Sequence, residues 1–80
     1  MTRKDVRMIE PLINALEKMQ EDKELHNREN IEYLKKQIQI SSNKDRGYIC
    51  YILDGTIWYG ITLEEAVSLL KRLQNISSLL

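Results

Sequence analysis

Asp54-Gly55 stands between two runs of β-forming residues, and no other feature of this sequence constrains the fold as strongly. Residues 48–53 (YICYIL) and 56–59 (TIWY) are rich in Tyr, Ile, Thr and Trp. Asp-Gly suits the two central positions of a type I′ turn, so the spacing predicts a β-hairpin over residues 48–60. In that hairpin Tyr51 faces Trp58, an ordinary stabilising cross-strand pair. Alternation places Ile49, Tyr51, Leu53, Thr56 and Trp58 on one side of the sheet. Tyr48, Cys50, Ile52, Ile57, Tyr59 and Ile61 fall on the other. Both sides are apolar, and a two-stranded sheet is barely stable until it is covered. Phe is absent, so Tyr and Trp are expected to fill the core as well.

Helices are expected on either side. Thr62 followed by Glu65 is a capping box, with Ile61 and Ala66 at the staple positions. The helix it opens is predicted over residues 62–76. Leu63, Ala66, Val67, Leu69, Leu70, Leu73 and Ile76 make an unusually wide apolar arc, wider than one hairpin face can use. In the N-terminal half, Ile9, Leu12, Ile13, Leu16 and Met19 recur at helical spacing. Thr2 and Asp5 form a weak cap, and Pro11 either kinks this helix or sits in its first turn. The apolar phase slips across the polar residues 20–30, before Ile31, Leu34 and Ile38. A turn near residues 24–27, with Asn27 as N-cap of a second helix running to about residue 40, accounts for this. One long kinked helix is the alternative. Residues 41–47 (SSNKDRG) read as a loop. The expectation is therefore one α+β domain over residues 1–80, in the order helix, helix, strand, strand, helix.

At 80 residues such a domain buries only a marginal core. Cys50 is the sole cysteine and His26 the sole histidine, so neither a disulfide within the chain nor a zinc site is expected. Self-association or a partner protein is the expected source of further burial. The opening residues contain no apolar signal-peptide core, and no run is long enough to span a bilayer. A cytoplasmic protein without membrane attachment is expected. Twelve basic and twelve acidic residues cancel, whereas a duplex-DNA binder usually carries a basic excess.

No catalytic, cofactor or metal site is expected. His26 lies in a polar stretch without a sequence-near partner, and the glycines at 47, 55 and 60 mark turns and strand ends rather than a phosphate cradle. Cys50, inside an apolar run, suits an inert thiol. The expected function is a small non-catalytic protein-interaction module, homo-oligomeric with a dimer favoured. It would act as a regulator, inhibitor or accessory protein on a larger partner. Tyr51, Trp58, Tyr59, Leu69, Leu73 and Ile76 are the expected self-association residues. The first alternative is a nucleotide or single-stranded nucleic acid stacked on the hairpin aromatics. Tyr48, Lys36, Lys44 and Arg46 would then contact base and phosphate. The second alternative is a DNA-binding or antitoxin-like regulator.

The stretch Gly60-Ile-Thr-Leu-Glu-Glu-Ala66, following the expected hairpin, resembles the corresponding stretch of HicB-type antitoxins. Together with the hairpin, the resemblance covers about a quarter of the chain. That family begins with its strands, whereas this chain is expected to begin with helices.

Overall fold

The computed structural model describes residues 3–40 and 42–78, and Thr2, the expected first cap, lies outside them. The described residues form four α-helices and one 3-10 turn, with no strand. They are α1 (Arg3–Glu21), the turn Lys23–Leu25, α2 (Arg28–Lys36), α3 (Asn43–Trp58) and α4 (Leu63–Ser78). The protein is all-α, which overturns the α+β expectation and its strand-strand step.

α1 continues through Pro11, whose missing N–H leaves the Arg7 carbonyl without its usual intrahelical donor. Ile9, Leu12, Ile13, Leu16 and Met19 are all buried, as their spacing requires. Asp22 ends α1 and caps the 3-10 turn by accepting from the Glu24 N–H at 3.1 Å. Asn27 then caps α2, accepting from the Asn30 N–H at 2.9 Å. The first two helices are therefore separate. α2 stops at Lys36, short of residue 40, and the link beyond it is anchored by buried Ile38 and Ile40.

The hairpin is instead the helix α3. Its first turn lies in the segment read as a loop. There the Ser42 hydroxyl accepts from the Asp45 N–H at 3.3 Å, and the Ser42 carbonyl from the Arg46 N–H at 2.9 Å. Residues 49, 52, 53 and 56 recur at helical spacing, and Ile49, Ile52 and Leu53 are fully buried. A strand of the same sequence would have two apolar faces to cover. A helix satisfies its backbone locally and buries one stripe against neighbours already present. Strand propensity is largely the fit of a side chain to a pleated surface, so it yields where no such surface exists.

Gly55 is not a turn residue either. It lies inside α3 against Ile61, and a Cβ there would collide with Ile61 Cδ1 and come within 2.8 Å of its Cγ1. The reversal comes five residues later, at Gly60, whose φ of 75° ends the helix. Ile61 folds back through it, its N–H donating to the Gly55 carbonyl at 2.9 Å. Thr62 then caps α4, accepting from the Glu65 N–H at 3.0 Å.

α1 packs most extensively along α4 rather than α2. The pair is antiparallel, since Gln74 donates to Glu10 at 2.7 Å and Lys71 meets Glu17 at 3.8 Å further along. α2 runs antiparallel to α3, with Lys35 paired to Asp54 and Arg28 beside Trp58. The core between them is wholly aliphatic apart from Met19. No tyrosine and no tryptophan contributes a buried ring, contrary to the expectation that these residues fill it.

Candidate functional site

Tyr48, Tyr51 and Trp58 leave the core because of where α3 places them. They follow Lys44 at alternating steps of four, three and seven residues, which puts all four on one side of the helix. Ile49, Ile52 and Leu53 occupy the opposite side and are buried. The stripe is continued by Tyr59 at the helix terminus. Tyr48, Tyr51, Trp58 and Tyr59 are 43%, 57%, 59% and 64% exposed.

The rings are held, not loose. Tyr51 and Tyr59 stack with centroids 5.7 Å apart and planes inclined by 20°. Eight residues, about two helical turns, separate them along α3 and its C-cap. Arg28 of α2 lies over Trp58 with its guanidinium carbon 5.7 Å from the ring centroid. One face of each of these three rings is therefore already in contact. Beneath the stripe, Lys35 ties α2 to α3, reaching Asp54 at 3.0 Å and Glu32 at 3.4 Å. The hydrogen bond to Asp54 raises the Lys35 pKa above its ordinary value, against a smaller opposing effect of desolvation.

Of the residues expected to serve self-association, Tyr51, Trp58 and Tyr59 fall on this stripe. Leu69 and Leu73 are half-buried against the core, and Ile76 is exposed near the end of α4. The expected phosphate-and-base set does not form one cluster. Lys44 and Tyr48 share the stripe, one turn apart. Arg46 is turned away and donates to the Ile40 carbonyl at 2.7 Å. Lys36 lies at the end of α2, lining an open cleft of about 500 Å³ with Arg28, Glu29, Glu32 and Tyr33. Sequence reading missed Arg28 as a partner of Trp58. Thirty residues separate them, and no local pattern announces the contact.

His26 is not a surface residue standing alone. Thr56 donates its hydroxyl proton to the Leu53 carbonyl at 2.8 Å, so its oxygen accepts from His26 Nε2 at 3.0 Å. This bond ties the α1–α2 connection to α3, and partial burial lowers the imidazole pKa below its ordinary value. With the threonine proton committed to a carbonyl, the pair has the geometry of a clasp rather than of a base and its nucleophile. The cleft beside it, about 480 Å³, is lined by residues including Gln20, Lys23, Thr62 and Glu64. Cys50 is half-buried, and desolvation raises its thiol pKa. Among the described residues no group of three His, Cys, Asp or Glu side chains could hold a metal ion, and no helix is long and apolar enough to cross a membrane.

No family model matches the chain, and no curated protein or solved structure matches it. The hairpin on which the resemblance to HicB-type antitoxins depended is helical, which leaves Gly60–Ala66 as an ordinary helix cap.

Proposed function

We propose that this chain is a small, non-catalytic protein-interaction module whose docking surface is the aromatic stripe of α3 together with Arg28. One observation carries the reading: all of its aromatic side chains are exposed while an aliphatic core holds the fold together. Leaving Tyr and Trp about half exposed forgoes part of the roughly 1.5–3 kcal/mol that full burial of a large apolar side chain supplies, in a domain with little stability to spare. Interfaces use these residue types because a ring supplies large contact area with few rotamers to freeze, and Tyr, Trp and Arg dominate their energetic centres. The stacked tyrosines and the Arg28–Trp58 contact preorganise the surface, which lowers the entropy lost on docking.

Base stacking has less support. A base needs an open ring face and a phosphate needs a cation nearby. Three of the rings already use one face, and Arg46 is engaged with Ile40. The cytoplasm suits the module because its one thiol is half-buried and kept protonated by burial. A regulator or inhibitor of a larger protein fits the lack of catalytic geometry around His26.

The test compares the native chain with a variant carrying Tyr48→Ser, Tyr51→Ser, Trp58→Ser and Tyr59→Ser, both immobilised after circular dichroism has shown equal helicity. The native chain should retain from host lysate a reproducible protein set that the variant loses. Equal retention by both would refute the reading. A nucleotide panel that quenches or shifts Trp58 emission would favour the base-stacking alternative.

A further inference from the structure

We infer that the cleft between α1 and α2 is a ligand site, and that it takes a small amphipathic carboxylate such as a medium-chain alkanoate. The inference is independent of the α3 stripe.

The helix packing leaves this cleft open. α1 packs along α4 and α2 along α3, and no comparable packing joins α1 to α2. The turn Lys23–Leu25 ties the two helices at one end. Between them lies a cleft of about 230 Å³, lined by Ala15 and Met19 of α1, Leu25 of the turn, and Tyr33 and Leu34 of α2. Met19 is buried and Leu34 half-buried against the core, whereas Leu25 and Tyr33 are 41% and 62% exposed. The apolar surface is therefore firm at its base and open at its rim.

The rim is also held in shape. Leu25 is the one aliphatic residue between positions 20 and 30. Its N–H donates to the Asp22 carbonyl at 3.0 Å, and its carbonyl accepts from Asn30 Nδ2 at 2.7 Å. A turn pinned at both backbone groups has little left to order when a ligand arrives.

Charge selects the ligand. The cleft along α2 sets Arg28 and Lys36 against Glu29 and Glu32, and the cleft beside His26 sets Lys23 against Glu64. The cleft between α1 and α2 is lined by one charged side chain alone, Lys18. Among the described residues the Lys18 ammonium enters no ion pair. Apolar surface beside a single free cation is complementary to an anion that carries an alkyl tail. A neutral hydrocarbon leaves the cation unused, and an organic cation is repelled by it.

Size narrows the class further. The volume lies below the 300–1,000 Å³ usual for drug-sized ligands, which limits the occupant to roughly ten non-hydrogen atoms. The turn closes one end, so the cleft receives the tip of a chain rather than a peptide running through it. A ligand this small in an open cleft binds with a Kd on the order of millimolar.

Octanoate is the probe, titrated at neutral pH into the full isotope-labelled chain and followed by amide correlation spectra. Saturable shifts should gather on residues 15–19, 25 and 30–34. Octanamide, the same tail without the charge, should bind about two- to five-fold more weakly, the usual worth of a solvent-exposed ion pair. Octylammonium should bind more weakly still. Lys18→Gln should lower octanoate to the affinity of octanamide and leave octanamide unchanged. Lys18 is exposed, so this substitution leaves the core intact. Ala15→Leu, which fills the cleft, should abolish binding of both with helicity unchanged. No saturable shift with octanoate overturns the inference. So do shifts that fall on α3, equal affinity for the three probes, or octanoate binding indifferent to Lys18→Gln. The α3 stripe is tested through other residues and another variant, so each reading stands or falls without the other.

Discussion

Replacing Gly47 and Gly55 with alanine separates a helix from a hairpin by the sign of the response. Both residues lie inside α3. Gly47 is exposed, and a Cβ there meets nothing within 4 Å. Gly47→Ala should therefore stabilise the fold by about 0.4–1 kcal/mol, because alanine loses less backbone entropy than glycine on entering a helix. At about 4–8 °C per kcal/mol for a domain of this size, Tm should rise by roughly 2–8 °C. At Gly55 the same helix gain of about 1 kcal/mol opposes an overpacking cost of about 1–3 kcal/mol. The cost arises because the new methyl would collide with Ile61. Gly55→Ala should thus run from neutral to about 2 kcal/mol destabilising. The origin of that cost can be isolated. In an Ile61→Ala background the collision is gone, and Gly55→Ala should become favourable, a coupling that a double-mutant cycle measures directly. Denaturant unfolding followed at 222 nm supplies all four stabilities. A Gly55→Ala cost that persists undiminished without Ile61 would mean that Gly55 needs a positive φ. That would refute the helical assignment of this segment.

Other expectations follow from single contacts. Gly60→Ala should cost about 1–2 kcal/mol, measured in the same unfolding assay, because an L-residue must then hold the positive φ that ends α3. His26 is held neutral by burial, so its folded pKa lies below the ordinary 6.5 and the unfolded chain binds the proton more readily. Its contribution is complete above 6.5 and is lost as pH falls through that value towards the folded pKa. His26→Gln should flatten this part of the stability profile, as unfolding at several pH values would show. Cys50 should react with a thiol reagent near pH 8 markedly more slowly in the native chain than in denaturant, since burial raises its pKa. Equal rates would mean that the thiol is not shielded.

Helix α1 was legible because its apolar residues obey one period and its neighbours obey none. The caps at Asn27 and Thr62 were legible because side-chain capping needs only residues two or three positions away. Residues 48–59 were misread because two periodicities coexist there. Alternation gives two apolar faces, while Ile49, Ile52, Leu53 and Thr56 trace a helical stripe. Asp54-Gly55 and the β-branched run suit a hairpin on local evidence, whereas the structure caps a helix with Ser42 and ends it at Gly60.

The sequence by itself determined that α1 and α4 would be amphipathic helices, and it placed a turn near residues 24–27 with Asn27 as the cap that follows. These depend on interactions within a few residues. The tertiary structure decided the rest. It set α3 against a core that needs one apolar stripe rather than two faces, and it used Gly55 for the approach of Ile61. It also turned the aromatic side of α3 outward, with Arg28 laid on Trp58. Each of those outcomes depends on which surfaces lie opposite a residue, and a pattern confined to one segment carries no record of them.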